Sequence, residues 1–542
     1  MDVDYQQAVD EFEWDIPESY TIPSIVESHA DSFGARVAVQ FLDEDGGREE
    51  RTYADIRDDM NRFANGLESL GVTQGDRVIH LIPRHPDAFA IQLGALATGS
   101  LLVPSSSMLR SSDIEFRAND CNATTVVVHE SLTDMVEPVL DGTPIERVIV
   151  LDGSGDEEWP SVADVMDGES TEYDGPTLSS DDPMSINYTS GTTGKPKPVL
   201  HKHRWMYVFS RINGPYWWGI DDDTDLEDEL LWATTGTGWA KWFWSPLGVG
   251  LTRGASQLIY DGEFEPDTFL EIMEEEGVTK LCAVPTQYRM FANEDLSAYD
   301  LAVNDLLSAG EPLNVEPIEQ MRDAFGVVPR DGYGQTETVA LVTNYPGIDV
   351  KPGSMGKPTP GVGATILDVD EEDVIEEPGE IGEIAVPTDS PAIFDGYYEK
   401  PDLDERTFSG DYYRTGDLAS RDEDGYFFFE GRADDIIISS GYRIGPFEVE
   451  DALVSHDAVA EAAAVDSPHE ERGAVVKAYV ILTDGYEGTE TLKAEIQDHV
   501  KAETAPYKYP RRIEFVGELP KTSSGKIRRI ELRKQEKEKF GR

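Results

Sequence analysis

The chain has 542 residues, which is too long for one ordinary hydrophobic core and therefore predicts more than one domain. It contains 107 Asp and Glu against 45 Lys and Arg, which gives a formal net charge of −62. A charge of this sign repels nucleic-acid phosphates, so we expect no nucleic-acid partner. The charge also destabilises a compact fold unless salt screens it, so we expect a halophilic protein from a high-salt cytoplasm. Because 9% of the residues are aromatic and the acids are dispersed among apolar residues, the composition argues against a disordered acidic chain.

The same sequence predicts a cytoplasmic protein without a membrane span. Residues 1–4 are acidic and lack the apolar core of a signal peptide. Cys121 and Cys282 lie in apolar contexts without a C-x-x-C pattern, which indicates buried thiols in a reducing compartment. The longest uncharged run, residues 88–109, is interrupted by glycine and proline and predicts a buried helix followed by a buried strand. The sequence leaves open whether the chain forms a homo-oligomer.

Helical and strand-like patterns alternate over the first four-fifths of the chain. Apolar spacing predicts a helix within residues 51–70, and apolar runs predict strands at residues 77–82, 124–128 and 148–151. Such alternation is typical of a largely parallel sheet covered by helices. We therefore predict an α/β fold, with a large N-terminal domain of helix-covered sheets and a small, mobile α+β C-terminal domain. The boundary is predicted at the polar segment after residue 430, which gives domains 1–432 and 433–542.

Two segments of the chain have a composition that indicates phosphate binding. Residues 188–197 read Tyr-Thr-Ser-Gly-Thr-Thr-Gly-Lys-Pro-Lys and follow an apolar run. Glycines let the backbone approach an anion, and hydroxyls and lysines add hydrogen bonds to phosphate oxygens, although a flexible surface turn would have a similar composition. The segment is not a P-loop, because Pro196 stands where a hydroxyl residue would follow the lysine. Residues 505–542 carry 12 Lys and Arg against 5 Asp and Glu, which a solvated helix over residues 532–539 explains only in part.

Five segments in the same order resemble the motifs of the adenylate-forming superfamily, which contains acyl-CoA synthetases, luciferases and peptide-synthetase adenylation domains. They are residues 188–197, 332–337, 413–417, 431–435 and 520–526. Residues 440–446 and 505–511 are most similar to the corresponding segments of medium-chain acyl-CoA synthetases. The resemblance implies an acid–thiol ligase that binds ATP, Mg²⁺ and coenzyme A. It would form an acyl-AMP and pyrophosphate, and then an acyl-CoA and AMP.

The resemblance also implies roles in the first step. Lys526 would be the catalytic lysine, Glu337 the Mg²⁺ ligand and Thr336 a contact of the α-phosphate. The β- and γ-phosphates would be held by the loop residues Thr189, Ser190, Gly191, Thr192, Thr193, Gly194, Lys195 and Lys197. The nucleotide would be held by residues from four further segments, namely Gly310, Glu311, Pro312, Asp331, Gly332, Tyr333, Gly334, Gln335, Asp417 and Arg432.

For the second step, the family rotates its C-terminal domain, and Asp434 matches the hinge position. Arg443 would contact the α-phosphate in one of the two states. Coenzyme A would contact residues that match those of similar medium-chain enzymes, namely Ser440, Gly441, Tyr442, Arg472, Lys501, Tyr509, Pro510 and Arg511.

The predicted acid is a medium-chain or branched fatty acid. Acetate-specific relatives carry tryptophan immediately before the Gln-Thr-Glu triplet, where this chain has Gly334, so we expect empty space there that continues into an apolar tunnel. Trp239, in the segment Thr237-Gly238-Trp239, would line the carboxylate end. The alternatives are an aryl or short-chain acid ligase, an enzyme that loads a carrier protein, and a catalytically dead nucleotide or acyl sensor.

Overall fold

The computed structural model describes residues 5–156, 158–189, 196–311, 313, 315–369, 373–439, 442–469, 472–483, 485–505, 507–521 and 527–540. Within these ranges the chain forms two compact units. The first comprises residues 5–189, 196–363 and 388–406, and the second comprises residues 364–387 and 407–540. The domain boundary predicted between residues 432 and 433 falls inside the second unit and stays a prediction.

The first unit contains two sheets. Their strands are β1 Val37–Asp43, β2 Arg48–Thr52, β3 Arg77–Leu81, β4 Leu101–Pro104, β5 Thr125–His129, β6 Arg147–Leu151, β7 Pro183–Thr189, β8 Lys197–Lys202, β9 Leu230–Ala233, β10 Ser256–Asp261, β11 Lys280–Ala283, β12 Asp305–Ala309, β13 Arg330–Gly334, β14 Ala340–Thr343 and β15 Lys357–Pro358. The nine-stranded sheet has the order β15-β14-β13-β12-β11-β9-β10-β1-β2, and the six-stranded sheet has the order β6-β5-β3-β4-β7-β8. The central strands of both sheets are parallel, and antiparallel strands lie only at the edges.

Helices connect and cover these strands. They are α1 Tyr5–Asp10, α2 Ile22–Phe33, α3 Tyr53–Ser69, α4 Ala88–Ala97, α5 Ser111–Cys121, α6 Thr133–Val136, α7 Val162–Met166, α8 Arg204–Val208, α9 Ala240–Trp242, α10 Pro266–Glu276, α11 Pro285–Phe291, α12 Val315–Phe325 and α13 Pro401–Thr407, with 3-10 turns at Glu130–Leu132, Glu137–Gly142 and Leu296–Ala298. Helix α3 begins where it does because Thr52 and Asp55 form a reciprocal capping box. The helix and strands predicted between residues 51 and 151 are confirmed as α3, β3, β5 and β6, and the run at residues 88–109 forms α4 and β4.

Two aromatic-rich segments of the first unit form π-helices, which the sequence does not predict. They span Phe209–Trp218 and Phe243–Leu251, each contains a proline, and they pack against each other. Trp205, Trp217, Trp218, Trp242 and Trp244, which lie in or beside them, are all buried. Because π-helices are rare and frequently occur at functional sites, their position beside β13 is relevant to the site described below.

The second unit contains two mainly antiparallel sheets. Its strands are β16 Thr365–Leu367, β17 Gly382–Pro387, β18 Phe408–Ser409, β19 Tyr412–Arg421, β20 Phe427–Arg432, β21 Ile437–Ser439, β22 Tyr442–Ile444, β23 Val459–His469, β24 Gly473–Leu482 and β25 Arg512–Phe515, and its helices are α14 Pro446–Val454, α15 Glu490–Glu503 and α16 Arg529–Lys539, with a 3-10 turn at Ala433–Asp435. The first sheet has the order β16-β17-β19-β18 with β20 beside β19, and the second has the order β22-β21-β24-β23 with β25 beside β24. The predicted fold class is confirmed: the N-terminal part has helix-covered α/β sheets and the smaller C-terminal part is α+β.

Both cysteines are buried, as predicted. Across the part of the chain that the structure describes, none of the helices combines the length and the apolarity that a membrane crossing requires.

Candidate active site

The predicted phosphate loop joins β7 to the edge strand β8 of the six-stranded sheet. Thr189 ends β7 and pairs with Lys197, the first residue of β8. Strand β7 runs parallel to β4, so the loop leaves the sheet at the carboxyl ends of its parallel strands, where open α/β sheets bind ligands. The loop itself, Ser190 to Lys195, lies outside the described residues.

The Gln-Thr-Glu turn leaves the carboxyl end of β13 in the nine-stranded sheet. The Gln335 amide donates a hydrogen bond to Thr338 Oγ1 over 2.8 Å, which closes the turn. Strand β8 contacts it as well, because His201 Nε2 donates to the Thr336 carbonyl over 2.7 Å. The structure therefore joins the phosphate-loop hairpin to the segment that carries Thr336 and Glu337.

His201 is held as a neutral imidazole. Its ring stacks on Trp205 with centroids 3.4 Å apart, and its side chain is buried. Burial lowers the pKa of His201 to about 3, because the charged form would lose its hydration. The hydrogen bond to a carbonyl requires the proton on Nε2, which fixes the tautomer.

A second contact joins the same two segments through Tyr397. The Tyr397 hydroxyl donates to Glu337 Oε1 over 3.0 Å, and Lys197 Nζ lies 5.1 Å from the centre of the Tyr397 ring. Two sequence-predicted residues, one expected to bind phosphate and one expected to bind Mg²⁺, thus share one buried aromatic side chain.

Strand β13 presents different chemistry on its two faces, since side chains alternate along a strand. Gly332 and Gly334 lie on one face. A Cβ atom on Gly332 would stand 2.7 Å from Trp217 Nε1, and one on Gly334 would stand 2.4 Å from Trp244 Cη2 and 2.1 Å from the Val339 carbonyl oxygen. The expected empty space at the missing Gly334 side chain is therefore wrong, because an indole from the second π-helix and a backbone carbonyl already fill it. Whether Gly334 lines the acyl pocket stays a prediction.

The opposite face of β13 carries Asp331 and Tyr333. Asp331 is buried, and burial raises the pKa of its carboxyl to about 8, although the Gly332 and Leu313 amides and Lys241 offset part of this effect. Lys241 Nζ donates to the Ala309 carbonyl, and a Cβ on Gly310 would stand 3.0 Å from it. Gly310 adopts φ +108°, a conformation that favours glycine.

Glu311 and Pro312 follow Gly310 in the same predicted nucleotide segment. Glu311 accepts a hydrogen bond from Thr286 Oγ1 over 3.2 Å. Pro312 lies outside the described residues.

The segment Thr237-Gly238-Trp239 leaves the nine-stranded sheet after β9 and contacts the six-stranded sheet. Thr237 donates to the Ile82 carbonyl, and a Cβ on Gly238 would stand 2.2 Å from the Ser106 amide nitrogen. Only glycine permits this approach, which fixes the position of Trp239 immediately before α9. Its predicted role at the acyl group stays a prediction.

In the second unit, the predicted ribose residues face each other across adjacent strands. Asp417 on β19 pairs with Arg432 on β20, and Arg432 Nη1 lies 3.4 Å from Asp417 Oδ1. Asp417 is buried, and its amide donates to Thr415 Oγ1 over 3.1 Å. A fixed carboxylate of this kind can accept hydrogen bonds from neighbouring hydroxyls.

The predicted hinge residue lies in the 3-10 turn that follows β20. Asp434 is exposed, and its carbonyl accepts a hydrogen bond from Arg533 of α16. Arg533 Nη2 also lies 2.6 Å from Asp435 Oδ1. The turn is therefore tied to the C-terminal helix, and Lys526, which precedes that helix in sequence, lies outside the described residues.

Three of the residues predicted to bind coenzyme A meet at one surface. Lys501 Nζ lies 4.5 Å and the Arg511 guanidinium 4.8 Å from the Tyr509 ring centre, and Arg511 Nη1 donates to the Tyr509 hydroxyl over 2.8 Å. The cluster combines two cations with an aromatic face, which suits a phosphate-bearing ligand with an aromatic base.

The other predicted coenzyme A residues are only partly described. Pro510 is buried, and Arg472 is exposed between β23 and β24. Tyr442 and Arg443 are placed on β22 by their backbone, whereas Ser440 and Gly441 lie outside the described residues.

The described residues test whether the chain could hold Mg²⁺. They contain no group of three or more His, Cys, Asp or Glu side chains that could bind a metal ion. Mg²⁺ usually binds through one or two carboxylates together with substrate phosphates and waters, rather than in an all-protein cage. The Glu337 carboxylate, which accepts a hydrogen bond from Tyr397, fits that pattern.

Comparison with known proteins places the chain in a family. A model described as AMP-binding enzyme matches residues 26–398, and one described as AMP-binding enzyme C-terminal domain matches residues 448–526. The chain therefore belongs to the AMP-binding enzyme family, and the predicted membership of the adenylate-forming superfamily is confirmed. The prediction of an enzyme is confirmed with it.

The chain is similar to these proteins over nearly its whole length. It is 41% identical over 525 residues to YtcI of Bacillus subtilis (strain 168), an uncharacterised acyl-CoA ligase, with 96% of this chain and 97% of that protein covered. It is 37% identical over 547 residues to the mitochondrial acyl-coenzyme A synthetase ACSM3 of Mus musculus, with 98% and 93% covered. Its fold matches the crystal structure of the anthranilate CoA ligase AuaEII in complex with anthranoyl-AMP with a TM-score of 0.87, 28% identity, and 97% and 99% of the two chains covered.

Sequence reasoning missed three residues that the structure places beside the predicted site, namely Tyr397, His201 and Lys241. A signal for His201 was available, because the alternation of side chains along a strand places it on the same face of β8 as Val199, which is buried. Tyr397 carried no such signal, since it lies 60 residues from Glu337 outside every motif.

Proposed function

We propose that the chain is an AMP-forming acyl-CoA synthetase that acts on a medium-chain or branched fatty acid. The observation that carries the proposal is the pair of contacts that joins the phosphate-loop hairpin to the Gln-Thr-Glu turn, from His201 to Thr336 and from Tyr397 to Glu337. Relatives named as acyl-CoA ligase and acyl-coenzyme A synthetase cover nearly the whole chain, which supports the same activity.

In the first reaction, an oxygen of the substrate carboxylate attacks the α-phosphorus of ATP. A bond forms between the carboxylate oxygen and the α-phosphorus. The bond between the α-phosphorus and the oxygen that bridges it to the β-phosphate breaks, and pyrophosphate leaves. We propose that Lys526 offsets the repulsion between the two anions, that the residues 189–197 hold the leaving phosphates, and that Asp417 binds the ribose hydroxyls. Glu337 would hold Mg²⁺, which neutralises charge on the phosphate oxygens when bound.

In the second reaction, the thiol sulfur of coenzyme A attacks the acyl carbonyl carbon. A thioester bond forms, the carbonyl carbon–oxygen bond to AMP breaks, and the thiol proton is released. We propose that Lys501, Tyr509 and Arg511 contact coenzyme A, together with Arg472, and that Asp434 serves as the hinge between the two reactions. The positive charges of Lys501 and Arg511 lie together in a chain of net charge −62, which supports the proposed contact with coenzyme A.

A second candidate substrate class is an aryl acid. The fold match to a ligase of anthranilate favours it, as do the buried indoles of Trp217 and Trp244 beside β13. Both candidates follow the same chemistry and differ only in the shape of the apolar pocket.

One acid panel tests both candidates. Pyrophosphate release and acyl-CoA formation would be measured with acetate, butyrate, octanoate, dodecanoate, 2-methylbutyrate, benzoate and anthranilate, in the presence of ATP, Mg²⁺, coenzyme A and molar KCl. We expect the highest kcat/KM for a chain of about six to ten carbons or for the branched acid. A preference for benzoate or anthranilate would select the aryl candidate, a preference for acetate would refute both, and no pyrophosphate release from any acid would favour a nucleotide sensor.

A further inference from the structure

The segment 392–398 lies between the two halves of the candidate site and hydrogen-bonds to both. On one edge it contacts the Gln-Thr-Glu turn: the Phe394 amide donates to the Glu337 carbonyl over 2.8 Å, and the Val339 amide donates to the Ala392 carbonyl over 3.1 Å. On the other edge it contacts β8: the Leu200 amide donates to the Gly396 carbonyl over 3.0 Å. The segment therefore connects the strand that follows the phosphate loop to the turn that carries Glu337.

Within this segment, Tyr397 reaches a charged side chain of each half, Glu337 and Lys197. It is 4% exposed, so its hydroxyl has little access to water, and the hydrogen bond to Glu337 Oε1 satisfies it. Its backbone amide donates to Asp404 Oδ1 over 2.7 Å, which fixes the residue from the opposite side. The ring is thus held in place from several directions, as a residue that orients others must be.

The geometry points to Tyr397 as a positioning residue that orients the Glu337 carboxylate for a divalent cation and holds Lys197 for the polyphosphate of the nucleotide. The inference rests on the proposed function, in which Glu337 binds Mg²⁺. A hydroxyl that donates to one carboxylate oxygen restricts rotation of the carboxylate. Such outer partners of a metal-binding group typically change metal affinity by about 10–100-fold when they are removed.

The ring contributes a separate interaction. An ammonium group over the face of a tyrosine ring is attracted by the ring quadrupole, independently of the hydroxyl. Replacement by phenylalanine should therefore remove the contact to Glu337 and keep the contact to Lys197, whereas replacement by leucine should remove both. The two variants separate cation binding from phosphate binding.

The test measures binding directly, so that it does not depend on turnover. Mn²⁺ would serve as the probe, and its affinity for the complete chain with a non-hydrolysable ATP analogue would be measured by electron paramagnetic resonance in molar KCl. We expect Tyr397→Phe to weaken Mn²⁺ binding about tenfold or more and to leave the affinity for the analogue without divalent cation unchanged. Tyr397→Leu should weaken both. In turnover, Tyr397→Phe should raise the Mg²⁺ concentration for half-maximal rate while the KM for the acid stays the same.

The matched control is Tyr398→Phe, which removes the hydroxyl of the adjacent residue on the other face of the segment and should change neither affinity. Glu337→Gln should weaken Mn²⁺ binding, and adding Tyr397→Phe to it should weaken binding no further. If Tyr397→Phe binds Mn²⁺ like the control while Glu337→Gln does not, the positioning role is refuted and the proposed function stands. If neither variant affects Mn²⁺, the assignment of Glu337 as the metal ligand fails together with the inference. If Tyr397→Phe weakens binding equally in the Glu337→Gln background, Tyr397 does not act through Glu337.

Discussion

Gly334 offers a quantitative test of how β13 and the second π-helix fit together. A single added Cβ would stand 2.1 Å from the Val339 carbonyl oxygen and 2.4 Å from Trp244 Cη2. To reach a tolerable separation of about 3.0 Å, the carbonyl and the indole must each move by more than half an ångström. Overpacking of this kind costs about 1–3 kcal/mol. We therefore expect Gly334→Ala to lower the free energy of unfolding by that amount.

The two clashes can be separated by a double-mutant cycle. Trp244→Leu removes the indole but leaves the Val339 carbonyl, so Gly334→Ala should cost about 1 kcal/mol less in that background than in the wild type. The free energies would come from urea unfolding in molar KCl. Gly142→Ala is a suitable control, because Gly142 is exposed and its added Cβ would approach nothing closer than 3.4 Å. If Gly334→Ala lowers the free energy of unfolding by the same amount in both backgrounds, within about 0.5 kcal/mol, the indole of Trp244 does not contribute to the clash at residue 334.

The same geometry determines the expected effect of the substitution Gly334→Trp. Trp244 already occupies the space beside this glycine, so Gly334→Trp cannot simply place a second indole there. It must first displace the Val339 carbonyl, beside the irregular pairing of β13 and β14 at Tyr333 and Gly334. We expect this variant to lose activity with all acids rather than to become selective for acetate. Trp244→Leu should instead raise the ratio of kcat/KM for longer acids over acetate, by up to about tenfold, if the indole borders the acyl pocket. An unchanged ratio in a folded Trp244→Leu variant would place the pocket elsewhere.

Four further outcomes follow from the same structure. Lys526→Ala should nearly abolish pyrophosphate release but leave thioester formation from prepared acyl-AMP largely intact, and equal losses in both reactions would contradict a role confined to the first. Lys501→Ala should raise the KM for coenzyme A several-fold, whereas Lys493→Ala on the same helix, whose ammonium lies over the Phe515 ring instead of the Tyr509 ring, should not. Burial lowers the pKa of His80 and His201 to about 3 and that of His203 to about 4, so each of these histidines takes up a proton on unfolding below about pH 6.5. Burial raises the pKa of Asp331 to about 8, so this carboxyl group releases one proton on unfolding in the same range. The free energy of unfolding should therefore fall by roughly 2 kcal/mol per unit between pH 6 and pH 5 in molar KCl, and a flat profile would contradict the burial argument. Activity and cooperative unfolding should require molar salt because of the net charge of −62, and an unchanged melting temperature in dilute buffer would refute this.

The sequence predicted the parts of the site whose chemistry is local. A run of glycines and hydroxyls after an apolar strand predicts an anion loop whatever surrounds it, and β7 and β8 flank that loop as a hairpin. Gly332 and Gly334 belong to a sequence motif, but the physical reason for glycine there is non-local: two indoles from separate π-helices lie against the backbone of β13. Apolar periodicity could not reveal the second of those helices, because every position from Phe243 to Leu251 is buried and no polar face marks the period.

The segment 392–398 shows why the rest of the site could not be predicted from sequence. Backbone hydrogen bonds tie it to β8 and to the Gln-Thr-Glu turn, and nearly any residue can make such bonds, so they leave no pattern in the sequence. If these backbone hydrogen bonds alone oriented the side chains of the site, almost any residue at position 397 would serve equally well. Tyr397 differs because its hydroxyl and its ring reach opposite charges, Glu337 and Lys197, that the backbone cannot orient. The requirement for a tyrosine here thus arises from side chains 60 and 200 residues away, and it becomes visible only when the fold has brought all three together.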